Sequence, residues 1–261
     1  MSTTILCQVA RAENPYYLTD VDMHIGSIEE LCYYLQNHLP LIDLSFFSMH
    51  LLDWIEGELG ATRLAQTLHR ILTEVPDPKL LELILPVMQE AGWLNTEEER
   101  VMREELRAID EQPVAVRMKQ KADMLVAYKK YARAIRTYEL ILTMKQTEKL
   151  GSAFAGSVSH NMGVVYAKLF QMDEAASCMK QAYAQMHTGQ VLHDYLFCVR
   201  CGEGEEAYAK LAAELGADQD MRDTLDREMK TVTAGQEPEN VEEVDDTLRG
   251  WVQEYHRETG M

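Results

Sequence analysis

Small side chains recur in register through the middle of this chain, and nothing else in the sequence restricts its fold as strongly. Residues 118–142 read MKQKADMLVAYKKYARAIRTYELIL, and residues 159–183 read SHNMGVVYAKLFQMDEAASCMKQAY. Ala122 and Gly163 take matching places in the two segments, 41 residues apart (122 to 163), as do Ala134 and Ala175 (134 to 175). Two helices cross closely only where the side chains between them are small, with large apolar ones filling the gaps on either side. A unit repeated on this scale is a helix–turn–helix that buries its apolar face against its neighbours. Residues 191–211, VLHDYLFCVRCGEGEEAYAKL, follow the same grid with Cys198, Gly202, Ala207 and Leu211, but place Tyr195 where a small residue is expected. The 41-residue step leaves extra residues around Lys145 to Ala155, to be absorbed by longer helices or a loop, whereas only 32 residues separate Ala175 from Ala207.

These three segments resemble the tetratricopeptide repeat (TPR) family, whose usual unit is 34 residues. Gly163, Tyr166, Ala175, Met179 and Ala182 carry the likeness in the second unit; Ala122, Leu125, Ala134, Tyr138 and Ile141 carry it in the first. The layout is also similar to bacterial TPR-containing proteins. The resemblance implies an all-α fold, a right-handed α-α superhelix of helix pairs, with repeats over about 113–146, 150–186 and 188–215. It further implies a concave groove lined by the first helix of each unit. Its lining would be Val116, Lys119, Asp123 and Val126, then His160, Asn161, Val164 and Ala167, then Leu192, His193, Leu196 and Val199. Some TPR domains hold a peptide's carboxylates with lysine, asparagine and arginine in that groove. Lys119 and Asn161 stand at two such positions, but Asp123, His193 and Gly189 replace an expected asparagine, arginine and lysine.

Residues 1–112 are expected as an N-terminal helical segment. Tyr16-Tyr17-Leu18 and Ile5–Val9 suggest a short hairpin or packed arm around Asn14-Pro15. Ser27 with Glu30 reads as a capping box at a first helix start, and Ile28, Leu31, Cys32 and Leu35 continue at helical spacing. Asp43 or Ser45 is expected to start a second helix, and Asp77-Pro78 a fourth, with proline at the first helical position. Asn95 with Glu98 opens a fifth, and Gln112-Pro113 is the expected domain boundary. Beyond the repeats, two closing helices are expected, at about 219–233 and along Val241, Val244, Leu248, Trp251 and Tyr255. The last is expected to cover the end of the stack, or to meet a partner helix or a second copy.

The charge is unevenly spread. The chain carries −18 overall, with −13 in residues 1–112, +6 in 113–149 and −11 in 203–261. Such a surface repels phosphate backbones, which argues against nucleic acid as a partner; only the middle block attracts acidic ones. Five cysteines, three of them among apolar helical residues, suit a reducing compartment, and the start lacks the order of a signal peptide. No apolar run approaches the ~18 residues needed to cross a bilayer. A cytoplasmic protein is the expectation.

No catalytic residue, metal ligand or cofactor is nominated. Cys198 and Cys201 form a CxxC late in an expected helix, where the dipole opposes thiolate formation. A zinc site needs a second ligand pair that the chain lacks. The eight histidines show no HExxH spacing, and Gly202-Glu203-Gly204 is followed by acids rather than by the lysine of a phosphate loop. The expected role is a non-enzymatic scaffold or adaptor holding a protein or peptide. The alternatives are a peptide-responsive regulator and a chaperone partner with a degenerate carboxylate clamp.

Overall fold

The computed structural model describes residues 11–234. Ile5–Val9 and the expected helix along 241–255, with the homodimer contact suggested for it, lie outside them. The chain forms two compact units, one ending at His187 and the other beginning at Thr188. Apart from one hairpin, both are helical, with consecutive helices packed on one another.

The hairpin pairs β1 (Tyr16–Leu18) with β2 (Met23–Ile25), antiparallel, with Tyr17 opposite His24. Asn14 ties it to the helices: its backbone N–H and side-chain amide donate to the Glu58 carboxylate at 3.0 and 2.8 Å, and its carbonyl accepts from the Trp54 indole at 2.8 Å. Five helices follow: α1 (Ile28–Asn37), α2 (Met49–Gly57), α3 (Thr62–Glu74), α4 (Leu80–Glu90) and α5 (Thr96–Glu111).

Local chemistry sets most of their ends. The Ser27 hydroxyl accepts from the Glu30 N–H, and the Glu30 carboxylate reaches back to the Gly26 N–H at 2.6 Å, one residue beyond the usual capping-box partner. Asn95 opens α5 as expected and forms a reciprocal capping box with Glu98. Two expected starts are displaced. Asp43 caps only a single 3-10 turn (Leu44–Phe46), and Ser48 caps α2. The Asp77 carboxylate turns to the Lys79 ammonium, and α4 begins at Leu80, two residues beyond Pro78. The Asp110 carboxylate of α5 then accepts from the Leu80 and Leu81 N–H groups at 3.1 and 3.2 Å. The Lys79 N–H donates locally to the Glu82 carboxylate at 3.0 Å, but the rest of the α4 cap comes from 30 residues away, which no local pattern reveals.

Gln112 and Pro113, the expected boundary, lie inside the first unit and separate α5 from α6 (Val114–Ala127). Then come α7 (Tyr131–Thr143), α8 (Lys145–Leu150), α9 (Ser152–Lys168) and α10 (Met172–Met186). The pairs α6–α7 and α9–α10 are helical hairpins closed by three-residue turns, 128–130 and 169–171. Lys129 and Phe170 hold the left-handed place in each, both at φ 59°. Ala122, Ala134 and Ala175 are fully buried and Gly163 is buried, as their register requires. A β-carbon at Gly163 would stand 3.0 Å from the Met179 methyl, 3.2 Å from the Cys178 β-carbon and 3.3 Å from the Ala175 carbonyl, so α9 and α10 touch there. The surplus between the hairpins is taken up by α8 and a longer α9, as the spacing suggested. One continuous core runs from Ala12 to Cys178.

Acids of the N-terminal segment meet the basic block directly. Asp22 pairs with Lys130, Asp20 with Arg133, Asp43 with Lys121 at 2.5 Å, and Asp110 lies 3.9 Å from Arg117. His38, buried at the end of α1, adds a further link: its Nδ1 donates to the Tyr34 carbonyl at 3.1 Å, and its Nε2 lies 2.7 Å from the Tyr128 hydroxyl.

The second unit comprises α11 (Gly189–Gly202), α12 (Glu205–Glu214) and α13 (Gln219–Ala234). Arg200 organises it: its guanidinium binds Glu205 and Asp226, each at 2.7 Å, and lies over the Tyr208 ring at 4.6 Å.

The α9–α10 contact predicts opposite outcomes at two glycines. Gly163→Val is expected to destabilise the protein by about 1–3 kcal/mol through overpacking. Gly57→Ala, where an added methyl meets nothing within 4 Å, should stabilise it by about 0.4–1 kcal/mol. Urea denaturation of the two variants beside the parent measures both.

Candidate functional site

Helix α6 presents two polar faces, and they differ in kind. The face expected to line a groove carries Lys119 and Asp123. Asp123 accepts from the Lys119 ammonium at 2.8 Å, from the buried Tyr138 hydroxyl of α7 at 2.5 Å and from the Asn161 amide of α9 at 2.8 Å. Burial, followed by this bond to Asp123, pushes the Tyr138 phenol far above its ordinary range, so it remains a donor. Lys119 and Asn161, the two donors that a carboxylate clamp would need, therefore both donate to Asp123. The aspartate that seemed to oppose a ligand carboxylate is the acceptor that joins three helices.

The other expected lining residues are divided by the fold. Val116, Val126, His160, Val164 and Ala167 are half-buried on α6 and α9 in the first unit. Leu192, Leu196 and Val199 belong to the second unit and are buried in its core, so they offer no open lining there. His193 sits between two carboxylates, Asp194 and Glu228, each 3.1 Å from a ring nitrogen.

The opposite side of α6 borders an open cleft of about 820 Å³ within the first unit. Its walls come from four places: the turns around Leu39–Ser45, the start of α4, the end of α5, and the faces of α6 and α7. Three large apolar side chains from three of these segments remain exposed in it: Leu44 at 42%, Val114 at 44% and Leu140 at 55%. Five cations line it, against three acids (Asp43, Asp77 and Asp110). Arg117, Lys121 and Arg133 are drawn partly to Asp110, Asp43 and Asp20. Arg136 is exposed and has no ion-pair partner among the described residues. The Arg117 Nε is buried without a hydrogen-bond partner. Sequence reasoning missed this cleft. The available signal was the basic block itself, together with Val114, Arg117 and Lys121 at helical spacing on one side of α6.

Three of the described thiols are held away from the thiolate form. Burial pushes Cys32 up to about 12 and Cys178 up to about 11, which keeps both protonated. Cys198 and Cys201 sit in the last turns of α11, with Cys201 raised by burial and its sulfur 3.8 Å from that of Met229. Among the described residues, no group of three or more His, Cys, Asp or Glu side chains is arranged to hold a metal, and no helix is long and apolar enough to cross a membrane.

No family model, curated protein or solved structure matches the chain.

Two outcomes follow from these polar contacts. Asp123→Ala leaves the Tyr138 hydroxyl buried without its acceptor and is expected to cost about 1–3 kcal/mol of stability, read by urea denaturation. Asp43 is pushed up by burial but pulled down further by hydrogen bonds from Lys121 and Ser45, so its net value lies below the usual 3.8. A carboxyl lowered on folding contributes stability above its unfolded value and loses it as pH falls through the folded one. Melting curves from pH 6 to pH 2 should therefore show Asp43→Asn losing stability at pH 6 and converging on the parent at the acid end.

Proposed function

We propose that this chain is a non-enzymatic scaffold or adaptor built from TPR-like helix pairs, and that it holds a protein or peptide segment in the cleft between α6, α7 and the N-terminal segment. The TPR-like reading is supported by the 41-residue register: small buried residues and a left-handed turn residue recur together in α6–α7 and α9–α10. One observation carries the location. Leu44, Val114 and Leu140, distant in sequence, leave exposed apolar surface in the same concavity. Scattered exposed apolar residues mean little, but convergent ones inside a concave space mark a binding surface. The cleft volume falls in the ~300–1,000 Å³ range of ligand pockets. The predicted groove face is a weaker candidate, because Asp123 already occupies its donors.

Selection from a phage-displayed peptide library tests this reading. Selected peptides should bind the parent, lose about 10-fold or more with Leu140→Glu, since burying a leucine contributes about 1.5–3 kcal/mol, and bind Asn161→Ala nearly unchanged. Loss with Asn161→Ala but not with Leu140→Glu would return the site to the α6–α9 groove.

A further inference from the structure

The cleft differs in charge from the rest of the molecule. The chain as a whole carries −18, yet the cleft is lined by five cations and three acids. Its acids are already engaged: Asp110 caps α4, Asp43 holds Lys121 and Ser45, and Asp77 holds Lys79. Its cations are not fully engaged. Arg136 has no ion-pair partner among the described residues, and the Arg117 Nε lacks an acceptor. Beside these donors stand the exposed apolar surfaces of Leu44, Val114 and Leu140.

Resting on the peptide-binding reading above, we infer that the occupant is a partner's acidic segment with large apolar side chains, its carboxylates meeting Arg136 and Arg117 while its apolar groups cover Leu140, Val114 and Leu44. Guanidinium groups suit this work, since their planar fork takes a carboxylate through two donors at once. Carboxylate is the favoured anion. A nucleic acid would bring a dense line of negative charge against a chain carrying −18, whereas a short segment brings only a few charges, spaced by apolar anchors that the cleft can bury. A basic segment would meet the local excess of cations and be repelled.

Fluorescence anisotropy with three labelled ten-residue peptides tests the inference on the full chain. The peptides share the same leucine and tryptophan positions and differ only in the residues between, which are glutamate, glutamine or lysine. The glutamate peptide should bind at least 10-fold more tightly than the glutamine peptide, the lysine peptide should bind most weakly, and 500 mM NaCl should remove most of the difference. Arg136→Glu alters an exposed side chain with no ion pair to break, so it should fold normally by circular dichroism; it should reverse the order of the glutamate and lysine peptides. Equal binding of all three, abolished by Leu140→Glu, would overturn the charge inference and leave the cleft reading intact. Binding of none, or binding indifferent to Leu140→Glu, would overturn both.

Discussion

The N-terminal segment and the helical hairpins of the first unit are held in register by opposite charge across a shared apolar core. Carboxylates at 20, 22, 43 and 110 face cations at 133, 130, 121 and 117. Each of these pairs is partly exposed, and such pairs contribute little individually. Their effect is to fix which faces of α6 and α7 meet the N-terminal helices, while the core extending from Ala12 to Cys178 supplies most of the stabilisation. The imbalance between −13 in residues 1–112 and +6 in the following block is thus largely an internal complementarity. It need not signal an external partner until the pairs have been subtracted, and among the cations that then remain Arg136 is the one that lines the cleft.

Helix α6 divides labour between its faces. On one, Asp123 gathers Lys119, Tyr138 and Asn161 into a satisfied network linking α6, α7 and α9. A network of this kind rigidifies a helix array. On the other, the small residues that permit close packing give way to longer side chains, and the N-terminal turns stand off far enough to leave a cleft. Rigidity on the first face would serve the recognition proposed for the second, because a binding surface on fixed helices loses less entropy when it is occupied.

Much of the helical layout was legible in the sequence because helix ends and close crossings have local signatures. Ser27, Asn95, Gly163 and Ala175 each act where their chemistry suggested. The displaced starts at Asp43 and Asp77 differ in cause: Asp43 caps a 3-10 turn only, whereas Asp77 turns to Lys79 and α4 takes a cap from Asp110. Spacing identifies which residues share a side of α6, but not whether a lysine on that side points to solvent or to an aspartate one turn away. The cleft depends on contacts between segments 40 to 100 residues apart, and only the excess of basic residues hinted at it.

The reach of Asp110 has a consequence for how this polypeptide can be divided. Gln112-Pro113 looks like a seam, and a fragment starting there would contain every repeated segment. It would nonetheless leave Lys121, Lys130 and Arg133 without their counter-charges and lay open the side of α6 and α7 that the earlier helices cover. The complementary piece, ending at 112, would keep its α4 cap but have nothing to roof its own core. Each piece would therefore be less stable alone than within the whole unit.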